Sequence, residues 1–144
     1  MGQLLGIARA ARKREPLVET DQADVTVELG LTGDARGNKP RRQVTLLFRE
    51  GWESACRDVG AILPWTTRRA NLLIEGVAIP PVGSQVAIGD ILLEVTDETE
   101  PCQVMERACK GLRKALTPEW RGGVTCKVVK GGAIRVGDRV EIKP

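Results

Sequence analysis

Residues 86–102 read Val86-Ala87-Ile88-Gly89-Asp90-Ile91-Leu92-Leu93-Glu94-Val95-Thr96-Asp97-Glu98-Thr99-Glu100-Pro101-Cys102. Two short apolar runs flank Gly89-Asp90, the spacing of a two-residue β-hairpin, and glycine in the first central position suits a type II′ turn. The polar run Asp97–Glu100 ends the second strand. Pro101 then fits the start of a helix, where its missing N–H costs nothing. The Gly-Asp device recurs at Gly137-Asp138, between Ile134-Arg135-Val136 and Val140-Glu141-Ile142, after a strand over Val124–Val129 and a turn at Gly131-Gly132. A single recurrence makes this a hairpin idiom rather than a repeat architecture.

Working outward, the same period-two pattern holds elsewhere. Val25, Val27 and Leu29 alternate with Thr26 and Glu28, and Val44, Leu46 and Phe48 alternate with Thr45 and Leu47, so both segments predict half-buried strands. Asn71-Leu72-Leu73-Ile74 is a continuous apolar run and predicts a strand buried on both faces. Two segments have helical spacing instead. Trp52, Ala55, Cys56 and Val59 share one face of a helix over Arg49–Val59, stopped by Gly60. Met105, Cys109, Leu112 and Leu116 share one face of a second helix over Pro101–Leu116, in spite of Gly111. No linker interrupts the 144 residues, so the expectation is one mainly β, barrel-like domain over 1–144, closed by hairpins and carrying two short helices.

Composition narrows the chemistry. Twenty-two Lys and Arg against 19 Asp and Glu leave a net charge of +3, too small a surplus to indicate nucleic acid or a membrane surface. Histidine is absent, which excludes any imidazole base or ligand from this chain. The four cysteines, Cys56, Cys102, Cys109 and Cys126, form no C-x-x-C pair, so no zinc site is expected. No stretch approaches the roughly 20 apolar residues of a spanning helix. The start Met1-Gly2-Gln3-Leu4-Leu5-Gly6 has neither a secretory apolar run nor the Ser or Thr of a myristoylation signal at position 6. A cytoplasmic protein with reduced thiols is the resulting expectation.

Among the thiols, Cys102 stands out because the reading places it in the first turn of a helix, where free N–H groups and the helix dipole favour a thiolate. Cys109 lies about 10 Å further along the same helix, too far for a local disulfide. Cys56 and Cys126 fall on apolar positions and read as core. Thr66-Thr67-Arg68-Arg69-Ala70-Asn71 precedes the buried strand and offers paired guanidinium groups for an oxyanion. The loop Gly30–Arg42 carries Arg36, Lys39, Arg41 and Arg42 between glycines, as a solvated loop or as a rim for anions. It holds no Walker or G-x-G-x-x-G pattern, so nucleotide cradling is not expected. Trp120-Arg121-Gly122-Gly123 sets a cation beside two flexible residues, and Arg9, Arg12, Lys13 and Arg14 read as surface charge.

Taken in order, Gly33-Asp34, Arg42-Gln43-Val44-Thr45-Leu46, Arg69-Ala70-Asn71-Leu72, Gly89-Asp90, Pro101-Cys102, Arg121-Gly122-Gly123 and Val136-Gly137-Asp138 resemble a small stand-alone MOSC domain. That family is named for the C-terminal domain of molybdenum cofactor sulfurase, and the likeness spans roughly residues 2–143. It implies a β-barrel of the MOSC and pyruvate-kinase-barrel kind. By the same resemblance, Cys102 matches the family cysteine proposed to ligate molybdenum or to carry sulfur as a persulfide. Arg69 and Asn71 would hold the phosphate or pterin edge of a molybdopterin cofactor, joined by Arg68 and Arg121. Relatives often carry histidine where this chain has Arg36.

The expected function is therefore molybdenum-cofactor binding, with reduction of small N-hydroxylated substrates supplied by an electron-donor protein. The alternative is a sulfur carrier, loaded on Cys102 by a desulfurase and delivering to a metal–sulfur cluster or cofactor assembly. The pyridoxal-phosphate-dependent desulfurase part of the sulfurase is missing from the sequence, so pyridoxal phosphate is not expected here and the carrier needs a donor partner. The extra N-terminal barrel of the amidoxime reducers is also missing.

Overall fold

The computed structural model describes residues 2–144. Its barrel is made of β1 (Gly2–Arg9), β5 (Val44–Phe48), β6 (Leu72–Glu75), β7 (Gln85–Ile88), β8 (Ile91–Glu98), β9 (Val124–Lys130) and β11 (Arg139–Lys143). Round the wall the order is β1-β11-β7-β8-β9-β5-β6 and back to β1, which closes seven strands and leaves no open edge among them. β2 (Val18–Thr20) pairs with β1 outside the ring. A separate three-stranded sheet, β10 (Gly132–Arg135), β3 (Gln22–Thr26) and β4 (Gly30–Leu31), adds Ala23, Val25, Leu31 and Ile134 to the barrel's core cluster. The expectation of a mainly β barrel holds.

Side-chain alternation explains why the continuous apolar runs are needed. On β5 and β6 the side chains of Leu46, Phe48, Leu72 and Ile74 point into the barrel, with Leu4, Ile88, Leu93, Val124 and Cys126 around them. The intervening Leu47 and Leu73 point outward into a second apolar cluster with Trp52, Met105, Leu112 and Leu116. Both faces of this pair are therefore buried, and β5 and β6 run parallel in the register Leu46↔Leu72, Leu47↔Leu73, Phe48↔Ile74. The crossover between them is α1 (Arg49–Val59), which ends at Gly60 as the sequence predicts. Each such leucine withdrawn from water contributes on the order of 1.5–3 kcal/mol.

The hairpin over Val86–Val95 forms with Ile88 opposite Ile91. Gly89 has φ +51° while Asp90 is absent from the positive-φ residues, the sign pattern of type II′.

Three expectations change. The strand over Val25–Leu29 stops at Thr26, whose hydroxyl accepts a hydrogen bond from Leu29 N at 3.0 Å and turns the chain, leaving Val27 and Leu29 exposed. The helix over Pro101–Leu116 is two helices, α2 (Gln103–Ala108) and α3 (Leu112–Leu116). Gly111 separates them with φ +88°, and its N–H donates to Glu106 Oε2 at 2.9 Å. The C-terminal segments are not successive hairpins: β10 pairs with β3, and β11 with β7 and β1.

Candidate functional site

Five segments meet beside the barrel end where β8 runs out: the β1–β2 loop, the β4–β5 loop, the 3-10 turn Trp65–Arg68, the start of α2, and the chain before β9. They enclose a hollow of about 610 Å³. Sizes of roughly 300–1,000 Å³ are usual for small-molecule and cofactor sites. Its cationic lining is Arg68 and Arg69 from the turn, Arg36, Lys39 and Arg42 from the β4–β5 loop, and Lys13 and Arg14 from the β1–β2 loop; no Asp or Glu lines it. Seven of the 22 basic residues thus converge, leaving 15 to face 19 acidic ones elsewhere. The overall +3 conceals a segregated field.

Arg68 is the innermost of these. It is 8% exposed, and its Nε donates to Gly122 O at 3.0 Å and its Nη2 to Thr99 O at 2.8 Å. No carboxylate pairs with it among the described residues. Burial pushes its pKa down, partly opposed by the nearby Cys102. A desolvated guanidinium whose hydrogen-bond partners are neutral carbonyls lacks an ion-pair partner, and Glu98 offsets its charge only without direct contact.

Arg69 follows in left-handed backbone, φ +65°, which for a side chain of this kind costs on the order of 1 kcal/mol or more. Two bonds hold it there: its N–H donates to Thr66 O at 3.0 Å, and Arg36 Nη1 donates to its carbonyl at 2.7 Å. Arg36 is itself oriented by Asp34, whose buried Oδ1 accepts from Arg36 Nε at 3.1 Å. Partial burial, then the Arg36 charge, lower the Arg69 pKa. Arg36 Nη2 also lies 3.1 Å from Asp34 Oδ1 as an ion pair, whereas Thr99 Oγ1 is buried without a hydrogen-bond partner, and both residues line the hollow.

Cys102 lies in extended backbone at the N-cap of α2, one residue before the helix rather than within its first turn. Its side chain makes no capping bond and is exposed at the edge of the hollow. With six residues, α2 supplies less dipole than the continuous helix expected from sequence. Val104 and Met105 give the adjoining wall an apolar surface. The other thiols differ: Cys56 and Cys126 are buried and Cys109 is half-buried.

Four of the five residues selected from sequence, Cys102, Arg68, Arg69 and Asn71, line one hollow. Asn71 does so with its amide already engaged. Its Oδ1 accepts from Thr45 N at 3.0 Å and Thr45 Oγ1 at 3.3 Å, and its Nδ2 donates to Ala8 O at 3.2 Å. These bonds tie β1, β5 and β6 together, so Asn71 shapes the floor. Arg121 is outside the lining. Its Nη1 reaches Asp58 Oδ2 at 2.7 Å and Ala115 O at 3.0 Å, so its charge is spent on α1 and α3. Sequence reading missed Lys13 and Arg14, which nothing local distinguishes from surface charge.

The arrangement suits an anionic ligand that also presents a soft acceptor to sulfur. The MOSC domain family model matches residues 33–141 of the chain. Among solved structures, the fold is similar to the YuaD protein from Bacillus subtilis, with a TM-score of 0.79 and 22% identity over 99% of this chain and 96% of that one. It is similar to YiiM from Geobacillus stearothermophilus, with a TM-score of 0.78 and 16% identity over 100% and 76% of the two chains. YiiM from Escherichia coli gives a TM-score of 0.72 and 18% identity over 99% and 70%. No curated protein matches. With a closed barrel of that architecture and a family match over three quarters of its length, the chain belongs to the MOSC domain family.

Proposed function

We propose that the hollow binds a molybdenum cofactor and that the loaded protein reduces small N-hydroxylated substrates with electrons from a donor protein. One observation carries this reading: a cavity of about 610 Å³ with seven cationic and no acidic lining residues, and an exposed thiol at its edge. The residues present fit such a group. Arg68, which has no ion-pair partner, and Arg69 would supply cationic donors for a phosphate, Arg36 being already paired with Asp34, and the unpartnered Thr99 Oγ1 would add a hydroxyl. Cys102 supplies a soft ligand.

Among the described residues no cluster of three or more His, Cys, Asp or Glu could hold a metal ion. A metal here would accordingly have Cys102 as its protein ligand and bring its other ligands with the pterin. The bound group would supply the two-electron chemistry. The chain's own residues would hold the phosphate at Arg68 and Arg69, fix the Arg69 backbone through Arg36, and leave the sulfur of Cys102 facing the open side.

Protein produced in a molybdenum-replete host is expected to contain molybdenum and pterin by elemental and fluorescence analysis, with both lost in Cys102→Ala. Wild-type protein without molybdenum would end this reading.

The exposure of Cys102, against burial or half-burial of the other three thiols, favours sulfur carriage as the second reading. The Cys102 thiolate would attack the outer sulfur of a desulfurase persulfide. A new S–S bond would form as the donor's breaks, and the donor would leave as a thiolate with no net change in electron count. Mass spectrometry after incubation with a desulfurase and cysteine would show one added sulfur on Cys102 alone. Even labelling of all four thiols would count against it.

A further inference from the structure

The cations of the hollow fall into two tiers. Arg68, Arg69 and Arg36 form the inner tier, each hydrogen-bonded to the fold or holding another member in place. Lys13 and Arg14 on one loop, and Lys39 and Arg42 on another, form the outer tier. All four are exposed, and no carboxylate lies within ion-pair distance of them among the described residues.

These loops do not approach by chance of flexibility. Ala10 N donates to Asp34 Oδ1 at 3.1 Å, and Ala35 N donates to Ala10 O at 2.8 Å, so the two loops are stitched together at their bases. The fold thereby holds two pairs of like charges over one opening. Such an arrangement costs stability through self-repulsion unless an anion is present. Asp34 offsets Arg36, so the inner three cations carry a net charge of 3 − 1 = 2, which one phosphate dianion matches, and the outer four are left without a counter-charge.

We infer that the mouth of the hollow is a second anion subsite, distinct from the inner one, and that the small molecule brought to Cys102 bears phosphate. That a small molecule is brought to Cys102 rests on the proposed function, whereas the two subsites stand on the loop geometry and charge alone.

Calorimetric titration with orthophosphate tests it on the protein as isolated, without any metal. Wild type shows two sites. Lys39→Gln and Lys13→Gln/Arg14→Gln each weaken the outer one about tenfold, as expected for loss of charge-assisted bonds, and spare the inner one; Arg42 is left intact because its charge also acts on Arg68. Arg69→Gln does the reverse. In low salt without phosphate the rim variants melt no lower than wild type, because repulsion has been removed. Adenosine 5′-monophosphate displaces phosphate from the outer site and adenosine does not.

One site only, or an outer site unchanged in both rim variants, overturns the inference, as does equal competition by the nucleoside. Because the rim residues are exposed, these variants fold even if Arg69→Gln does not. Molybdenum loading is a separate readout: two phosphate sites without molybdenum would sink the cofactor reading and leave this one standing.

Discussion

Replacing Asn71 by alanine separates a framework role from a ligand-binding one. The side chain is 2% exposed and makes three hydrogen bonds, to Thr45 N, Thr45 Oγ1 and Ala8 O. Each neutral bond contributes about 1 kcal/mol net, and truncation also leaves Thr45 N and Ala8 O short of a partner in a buried strand junction, so the expected loss is about 3 kcal/mol. For a domain of this size that corresponds to roughly 9 °C in Tm. Urea unfolding of Asn71→Ala should move the midpoint with the slope unchanged, since the surface exposed on unfolding is the same. A loss below about 1 kcal/mol, together with abolished phosphate binding, would refute the assignment: the amide would then be free and serve a ligand.

Three further outcomes follow from the same geometry. Burial pushes the Cys126 thiol far above its ordinary value of 9.0, and burial raises Cys56 as well. Above pH 9 the unfolded chain releases these protons while the fold retains them, so their contribution is intact below pH 9 and declines as pH rises, by up to about 1.4 kcal/mol per pH unit for each group; Cys126→Val should flatten that alkaline slope in unfolding measured between pH 9 and 10. Arg121→Ala breaks its contacts to Asp58 and the Ala115 carbonyl and should cost on the order of 1–2 kcal/mol in urea unfolding, with orthophosphate affinity equal to wild type; weakened phosphate binding would return Arg121 to the site. Gly123 has φ +95° and a Cβ there would overlap the Leu46 carbonyl oxygen, so Gly123→Ala should lose on the order of 3 kcal/mol or more by thermal melting.

Local signals in the sequence were sufficient wherever structure is decided locally. The helix Arg49–Val59, its stop at Gly60, the strand Val44–Phe48 and the Gly89-Asp90 hairpin all lie where spacing and turn chemistry put them. β1 went unread because a register shift between Leu4 and Gly6 breaks the period of two, leaving Leu4, Ile7 and Ala8 buried in an order that alternation does not describe. The destination of β10 was equally hidden: Gly131-Gly132 announces a turn, but only the tertiary fold decides that the strand after it pairs with β3.

The site divides the same way. Arg68, Arg69 and Cys102 were visible as paired guanidinium groups and a helix-start thiol. The convergence of Lys13 and Arg14 with Lys39 and Arg42 depends on bonds between Ala10 and residues 34 and 35, which no local pattern encodes. Arg121 lies outside the lining because it pairs with Asp58, 63 positions away in sequence, a contact no local pattern encodes.

The central claim is that the sulfur of Cys102 faces an electropositive hollow. Alkylation with a matched pair of reagents, anionic iodoacetate and neutral iodoacetamide, measures that field at the sulfur itself, with peptide mass spectrometry reporting Cys102. The expected result is an iodoacetate-to-iodoacetamide rate ratio severalfold above that of free glutathione, collapsing toward the glutathione value when orthophosphate or salt is added. A ratio equal to that of glutathione, indifferent to phosphate, would contradict it.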